Sequence, residues 1–246
     1  MSEKAYPVSV KVDAILFDLD GTLVDSTPAV EAGWKQFGKE NGVSPELILA
    51  TSHGRRVYDT LLEHTPHLAN DADVERLETT ICRDFGSLAV EIPGAKKALA
   101  DLDFIHQVAA SENGKKRKWG IVTSGTYLLA SSWLSQFGIP IPEIFVTAER
   151  VKSGKPDPEG YLLGRTLLNA DSKEGKDVIV FEDAPAGIRA GKAAGATVIG
   201  ITSTHSKEAV EEAGADYVIA DLTYVKVGSI SDDGSFVIEI LKEVDF

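Results

Sequence analysis

The sequence predicts an α/β fold, in which a Rossmann-like parallel sheet is covered by helices on both faces. The main observation is that short, β-branched apolar segments alternate with segments of helical periodicity, which is typical of a parallel sheet buried on both sides. Two departures from this alternation predict an inserted all-helical domain and a C-terminal β-hairpin. The predicted strands of the sheet are Ala14–Phe17, Gly120–Thr123, Ile144–Thr147, Val178–Phe181, Thr197–Ile201 and Tyr217–Ala220.

The first departure is an interval without a convincing strand that follows the first strand of the sheet. Thr27 can cap a helix that has Pro28 at its first position, and Gly42 can end that helix. Further apolar stripes of helical spacing run through Val57–Leu61 and through Val74–Phe85, with Gly86 closing the second one. The interval is several times longer than the dozen or so residues that a crossover between parallel strands needs. It therefore predicts a separate helical domain.

This interval also sets the predicted domain boundaries. The α/β core comprises residues 1–25 and 93–246, and the helical domain comprises residues 26–92. Within the core, apolar residues at helical spacing continue from Tyr127 to Phe137, where Gly138 ends the helix.

The second departure lies at the C-terminus, where the apolar periodicity changes from helical to strand-like. The segments Lys226–Ile230 and Ser235–Ile240 flank Ser231–Gly234, whose Ser-Asp-Asp-Gly sequence is typical of a turn. The pattern predicts a β-hairpin.

The composition disfavours nucleic-acid-binding, membrane-spanning and disulfide-bonded proteins. The chain has 246 residues, of which 38 are acidic and 25 basic, giving a net charge of −13. Such a chain repels nucleic acid and anionic membranes, and no stretch approaches the roughly 20 apolar residues that span a bilayer. A single cysteine, Cys82, excludes an internal disulfide and a multi-cysteine metal site. We therefore expect a cytoplasmic protein with no nucleic-acid or membrane partner. We also expect a monomer, although no motif of the sequence determines the oligomeric state.

The first chemical motif follows the strand Ala14–Phe17. Asp18 and Asp20 are separated by one residue, and Gly21 allows a sharp turn and a close approach to a ligand. Side chains at the carboxyl end of a parallel strand face the crevice in which open α/β sheets bind ligands. An Asp-Gly turn alone is common in loops, but the five-residue motif Asp18–Thr22 directly after an apolar strand indicates a functional site.

Two further motifs could bind an anion at the same edge of the sheet. Thr123 and Ser124 follow a predicted strand at the start of a helix, where hydroxyl and amide groups suit a phosphate oxygen. For these residues alone, a simple helix cap is the more typical interpretation. Lys155 lies in the rigid sequence Lys-Pro-Asp-Pro. Its ammonium could therefore be held over the strand ends, whereas a lysine is usually a surface residue.

The fourth motif is the acidic pair Glu182 and Asp183, again at the end of a strand. Together with Asp18 and Asp20 it would bring up to four carboxylates to one place, where they would repel one another. A hard dication with oxygen ligands relieves this repulsion, and Mg²⁺ suits carboxylates and phosphate oxygens. Because no histidine or cysteine joins the motifs, zinc is disfavoured.

The four motifs, in this order, resemble the haloacid dehalogenase superfamily, specifically its phosphatase branch with a helical cap inserted after the first motif. The resemblance implies that Asp18 is the nucleophile and Asp20 the general acid and base. It implies that Thr123, with Ser124 beside it, binds phosphate, and that Lys155 neutralises the phosphoryl group.

The same resemblance implies a magnesium site that uses the first motif, Asp18 and Asp20, and the acidic pair Glu182 and Asp183. It covers nearly the whole chain. The segments 52–59, 123–126 and 180–187 further resemble the fungal glycerol-3-phosphate and 2-deoxyglucose-6-phosphate phosphatases, so we expect a small phosphorylated sugar or polyol as the substrate.

Substrate choice is predicted to depend on the cap segment Ser52–Asp59. Gly54 permits a close turn, and His53 and Arg56 bracket it, so at least one of these two side chains is expected to face the cleft. A guanidinium with five donors can bind the hydroxyl groups of a small substrate. Arg55 is expected to be an exposed basic residue.

Two other functions remain open at this stage. A phosphosugar mutase of the same superfamily would share every core motif and would pass the phosphoryl group to a sugar instead of water. A non-catalytic binding protein on this fold would be expected to lack Asp18 or Asp20, and both are present.

Overall fold

The computed structural model describes residues 6–113, 118–168, 178–230 and 235–242. The strands are β1 (Val8–Val12), β2 (Ala14–Phe17), β3 (Val24–Asp25), β4 (Val90–Glu91), β5 (Trp119–Val122), β6 (Phe145–Val146), β7 (Val178–Glu182), β8 (Thr197–Ile201), β9 (Tyr217–Ile219), β10 (Val225–Ile230) and β11 (Phe236–Ile240). The helices are α1 (Thr27–Asn41), α2 (Pro45–Ser52), α3 (Val57–His64), α4 (Asp71–Thr80), α5 (Ala95–Asn113), α6 (Tyr127–Phe137), α7 (Glu159–Leu167), α8 (Pro185–Ala193) and α9 (Lys207–Glu212).

The central sheet has six parallel strands in the order β6-β5-β2-β7-β8-β9. This confirms the predicted α/β fold, and the predicted strands differ from the observed ones only at their ends. β2 lies between β5 and β7. Along the chain, the sheet is first extended from β2 on one side, by β5 and β6, and then on the other side, by β7, β8 and β9. Ligands of open α/β sheets bind outside the carboxyl ends of the strands at such a topological switch point. The fold therefore places residue 18 at the position where a ligand is expected.

The three strands around this switch point are completely buried, because helices cover both faces of the sheet. Side chains alternate between the faces along a strand. Accordingly, Ile15 and Phe17 of β2 belong to one apolar cluster, and Ala14 and Leu16 belong to the other. The first cluster continues into the helices that follow β2.

The helical interval is entered and left through a two-stranded antiparallel ribbon, in which Val24 of β3 pairs with Glu91 of β4. Helices α1 to α4 lie between these strands. The periodicity predicts α1, α3 and α4, whereas α2 was not predicted. The division of the chain into a core and a separate cap domain stays a prediction. α1 ends at Gly42, which has a φ of 69°, as predicted. The predicted start of α1 is wrong by one residue, because Ser26 is the capping position and its hydroxyl bonds to Asp20.

The last helical stripe ends differently from the prediction. α4 stops at Thr80, and the chain continues through a π-helical turn, Ile81–Phe85, into a 3₁₀ turn that begins at Gly86. Gly86 keeps a right-handed conformation with a φ of −54°, so it does not close the helix as a left-handed cap. The buried stripe nevertheless holds, since Val74, Leu77 and Ile81 are all buried.

The C-terminal hairpin is confirmed, since β10 and β11 pair antiparallel. The predicted turn residues 231–234 lie outside the described residues. The sequence analysis missed β1, which pairs with β11 through Val10 and Ile238 and extends the hairpin to three strands. In the part of the chain that the structure describes, no helix combines the length and apolarity needed to cross a bilayer.

Candidate active site

The acidic motifs meet because β2 and β7 are adjacent. The amide of Asp18 donates to the carbonyl of Phe181 at 3.0 Å, which continues the strand pairing past the end of β2. Asp18, Glu182 and Asp183 are buried. Each offers one carboxylate oxygen to a group whose atoms all lie within 4.8 Å of one another, so the three residues could hold a metal ion.

Lys155 is buried among these acids and is not on the surface. Its Nζ donates to Asp18, to Oε1 of Glu182 at 2.7 Å and to the carbonyl of Val122 at 3.2 Å. It also lies 5.1 Å from the ring centroid of Tyr161. Burial alone would lower the pKa of Lys155, but Asp18 and Glu182 outweigh that effect and raise it above its ordinary value. The ammonium therefore stays charged.

Each carboxylate oxygen of Glu182 accepts hydrogen bonds from two donors. Oε1 accepts from Lys155 and from the Tyr161 hydroxyl at 2.9 Å, and Oε2 accepts from the amides of Asp183 and Ala184 at 3.0 and 3.1 Å. A Cβ atom on Gly187 would lie 1.5 Å from Oε1. Only glycine at position 187 therefore leaves room for Glu182 in this position.

Asp183 faces the turn of the first motif. It accepts hydrogen bonds from the hydroxyls of Thr22, at 3.3 Å, and Thr204. Gly21 has a φ of 89°, and a Cβ atom there would lie 2.2 Å from Oδ2 of Asp183. Burial, and secondly the charge of Glu182, raise the pKa of Asp183. Burial likewise raises the pKa of Asp18, although Lys155 opposes the increase.

Asp20 lies slightly apart from the other three acids. Its carboxylate accepts from the Ser26 hydroxyl at 2.6 Å and from the Thr123 hydroxyl at 3.3 Å. Thr123 in turn accepts from the amide of Gly125 at 3.0 Å. Burial raises the pKa of Asp20 in spite of the two hydroxyl donors. Asp20 is thus oriented by hydroxyl groups, and its side chain is not part of the three-residue group that could hold a metal.

The other predicted phosphate ligand, Ser124, contacts the helical interval. Its hydroxyl donates to the carbonyl of Gly54 at 2.8 Å. Gly54 has a φ of 73°, and a Cβ atom there would lie 2.6 Å from Cβ of Ala184. The turn at Gly54 therefore packs directly on the strand ends that carry the acids.

The structure does not bring Arg56 into the cleft. Its Nε and Nη2 atoms bond to the Asp59 carboxylate at 2.7 and 2.8 Å. Nη1 and Nη2 also donate to the carbonyls of Val151 and Lys152, both at 3.1 Å. These contacts use the donors that were expected to bind a substrate. Arg56 instead connects the helical interval to the segment that precedes Lys155.

His53 and Arg55 do line the cavity above Asp18. The His53 ring packs edge-on against His205, with 5.7 Å between the ring centroids. Arg55 was expected to be exposed, and its guanidinium pairs with the exposed Glu63 at 2.6 Å, while the residue also lines the cavity.

This cavity lies between the strand ends and the helical interval and has a volume of about 70 Å³. Asp18, Asp20 and Asp183 form one wall. The opposite side is largely apolar and includes Val30, Trp34, Val57, Ile81 and Leu129. The arrangement places several carboxylates and hydroxyl groups at the wall of a cavity, and the Lys155 ammonium bonds to one of these carboxylates, Asp18.

Glu78 is a further charged residue of this cavity, and the sequence analysis missed it. It is fully buried on α4 and accepts from the amide of Thr126 at 3.3 Å and from the Thr126 hydroxyl. Burial outweighs these two hydrogen bonds and raises the pKa of Glu78 to about 7. The available signal was its spacing, because Glu78 is four residues after Val74 and three before Ile81 on the buried stripe.

Comparisons with known proteins cover most of the chain. A family model for haloacid dehalogenase-like hydrolases matches residues 12–195. Glycerol-1-phosphate phosphohydrolase 2 of Saccharomyces cerevisiae is 40% identical over 90% of this chain and 87% of its own. 2-deoxyglucose-6-phosphate phosphatase 2 of the same yeast is 42% identical over 91% of this chain and 93% of its own. The crystal structure of a hydrolase from Pseudomonas syringae has a TM-score of 0.68 and 28% sequence identity, over 85% and 94% of the two chains.

The raised pKa of Glu78 predicts how stability changes with pH. Between the ordinary value of 4.5 and about 7 the folded protein holds a proton that the unfolded chain releases, so this residue makes stability fall as the pH rises through that range. A difference of this size corresponds to about 3 kcal/mol. At pH 8, Glu78→Gln is therefore expected to raise the free energy of unfolding by up to about 3 kcal/mol, as measured by urea denaturation.

At pH 4.5 the variant is expected to lie within about 0.5 kcal/mol of the wild type, because the carboxyl is then neutral in the folded protein and only about half ionised in the unfolded chain. Equal stabilities of the two proteins at pH 8, or a less stable variant, would contradict the assigned cost of ionising Glu78.

Proposed function

The chain belongs to the haloacid dehalogenase-like hydrolase family, and we propose that it is a magnesium-dependent phosphatase of small sugar or polyol phosphates. The observation that carries the proposal is the buried Asp18, which is held by Lys155 at the wall of the cavity between the strand ends and the helical interval. The names of the yeast relatives support the substrate class, since both describe phosphatases of small phosphorylated alcohols or sugars.

Asp18 is the proposed nucleophile. Its carboxylate attacks phosphorus in line, forming a bond from Oδ to phosphorus while the bond to the ester oxygen of the substrate breaks. Asp20 gives its proton to that departing oxygen, and the alcohol leaves. Water then attacks the aspartyl phosphate, Asp20 takes a proton from this water, and the bond to Asp18 breaks to release phosphate. The raised pKa of Asp20 supports its role as the acid.

Lys155, Thr123 and Ser124 are proposed to bind the phosphoryl group. The Lys155 ammonium already lies beside the attacking oxygen of Asp18, where it can offset charge on the transferring oxygens. The Thr123 hydroxyl lies between Asp20 and the amide of Gly125. Thr123 can therefore fix the acid in its position, and its hydroxyl would bind the phosphate by turning its proton from Asp20 to a phosphoryl oxygen.

The site's donor set fits a hard dication. The oxygen ligands of Asp18, Glu182 and Asp183 are buried together, and burial raises the pKa values of Asp18 and Asp183, so a cation would stabilise their charged forms. Because Glu182 is fully engaged by donors, we propose Asp18 and Asp183 as the side-chain ligands of Mg²⁺ and Glu182 as the residue that positions Lys155. When bound, Mg²⁺ would stabilise negative charge on the phosphoryl oxygens.

Residues 26–92 are proposed to act as a cap domain over this site. Three of its residues form hydrogen bonds with the core. The carbonyl of Gly54 accepts from Ser124, and Arg56 donates to the carbonyls of Val151 and Lys152. Glu78 accepts from the amide of Thr126. Such contacts would exclude bulk water during phosphoryl transfer.

A phosphosugar mutase would use the same core residues, and it is less well supported because the yeast relatives are phosphatases. A mutase needs a phosphorylated sugar as acceptor of the phosphoryl group. Release of inorganic phosphate from a single monoester, without a bisphosphate activator, is expected here and distinguishes the two. A purely binding function is disfavoured because Asp18 and Asp20 are both retained and oriented.

The nucleophile is tested by Asp18→Asn. The variant keeps the size of the side chain and removes its nucleophilic charge, so phosphate release from glycerol 3-phosphate is expected to fall below detection. The fold should survive, because Lys155 keeps its contacts with Glu182 and Val122. Asp101→Asn, at an exposed ion pair with Lys97, is the control and should retain full activity. Substantial turnover by Asp18→Asn would contradict covalent catalysis.

The metal is tested by chelation. Activity is expected to disappear after treatment with EDTA and to return with Mg²⁺, because the buried carboxylates need a counter-charge. Ca²⁺ should restore little activity, since it prefers more ligands and a looser geometry. Undiminished phosphate release after exhaustive chelation would disprove the requirement.

Arg56 is tested on two substrates. Arg56→Ala removes the contacts to the segment before Lys155, so kcat/KM should fall about 10-fold on both glycerol 3-phosphate and p-nitrophenyl phosphate. Arg76→Ala is the matched control, because Arg76 forms the same i,i+3 ion pair with an aspartate, Asp73, on the exposed side of α4. A loss confined to glycerol 3-phosphate would instead indicate that Arg56 recognises the substrate's hydroxyl groups.

A further inference from the structure

Glu78 lies in the same cavity as the reacting groups, but the proposed chemistry does not use it. Asp18 and Asp20 belong to the strand ends, whereas Glu78 enters from α4 in the predicted cap. The cavity lining on α1 and the π turn includes the apolar Val30, Trp34 and Ile81. Glu78 is therefore a carboxylate that reaches a partly apolar cavity from the side of α4.

The hydrogen bonds of Glu78 leave acceptor capacity unused. Each carboxylate oxygen accepts one hydrogen bond from Thr126, while an ionised carboxylate offers about four acceptor positions. Among the residues that the structure describes, no lysine, arginine or histidine forms an ion pair with Glu78. The charges that act on it, those of Asp20 and Glu149, are both negative. Burying a carboxylate in this way is costly unless further donors reach it.

We propose that Glu78 is a specificity-determining residue that accepts hydrogen bonds from the hydroxyl groups of the sugar or polyol. This inference rests on the proposed phosphatase function and adds the chemistry of the leaving group. When the phosphoryl group lies at Asp18, the rest of a small substrate extends through the cavity towards α4. Neutral hydroxyl groups would supply the donors that Glu78 lacks, and a second anionic group would be repelled by it.

Glu149 provides a control for the alternative explanation, in which Glu78 only stabilises the fold. Glu78 bonds to the N-terminal end of α6 at Thr126, and Glu149 bonds to the same end of α6 through the amide of Tyr127 at 2.8 Å. Glu149 does not line the cavity that contains Asp18. If Glu78 served only to cap α6, its replacement would affect all substrates alike, and the exposed Glu149 controls for the loss of a carboxylate at this helix end.

The test compares two substrates that differ in one group. Glycerol 3-phosphate ends in a hydroxymethyl group, where 3-phosphoglycerate has a carboxylate, and p-nitrophenyl phosphate has no hydroxyl to recognise. The wild type is expected to prefer glycerol 3-phosphate to 3-phosphoglycerate. Glu78→Gln should lower kcat/KM on glycerol 3-phosphate about 10-fold and raise it on 3-phosphoglycerate. Hydrolysis of the aryl phosphate should change less than about 3-fold, and Glu149→Gln should leave all three values unchanged.

Thermal melting of each variant shows that the kinetics refer to folded protein. An equal loss on all three substrates, an unchanged ratio between the first two, or a wild-type preference for 3-phosphoglycerate would each overturn the role of Glu78. A wild type that fails to hydrolyse even p-nitrophenyl phosphate with Mg²⁺ would overturn the phosphatase proposal and this inference with it. Aryl phosphatase activity with an unchanged ratio would overturn only the role of Glu78.

Discussion

The contacts of the Lys155 ammonium hold the site together. It bonds to Asp18 at the end of β2, to Glu182 at the end of β7 and to the carbonyl of Val122 at the end of β5. A buried ammonium is stable only when charge partners and hydrogen-bond acceptors replace the water that it has lost. The three adjacent strands therefore have to end at the same level for Lys155 to be accommodated. The lysine in turn fixes the direction of the carboxylate that we propose as the nucleophile.

The single positive charge of Lys155 does not balance the negative charges of Asp18, Glu182 and Asp183. Glu182 is engaged by Lys155, Tyr161 and two amides, while burial raises the pKa values of Asp18 and Asp183. Glu182 thus holds Lys155, whereas Asp18 and Asp183 could bind the proposed dication. Small residues are also required near the acids, because a Cβ atom on Gly21 would overlap Asp183, and one on Gly187 would overlap Glu182.

The parts of the site that could be predicted are those that the sheet itself determines. Asp18 and Thr123 directly follow buried strands and Glu182 ends one, and parallel strands bring their carboxyl ends to one edge. The missed parts depend on contacts between distant segments. Nothing local to Glu78 reveals its bond to Thr126, and carbonyl groups of the chain satisfy the Arg56 guanidinium in place of a substrate. The pairing of β1 with β11 joins opposite ends of the chain and has no local signal other than alternation.

The central claim is that phosphoryl transfer passes through a covalent bond to Asp18. The stereochemical course at phosphorus tests it most directly, with a thiophosphate substrate that is chiral through sulfur and two oxygen isotopes and with water that carries the third oxygen isotope. Two successive in-line displacements, first by Asp18 and then by water, each invert the configuration. The account therefore predicts net retention in the released thiophosphate. Net inversion would show a single direct attack by water and would contradict the account.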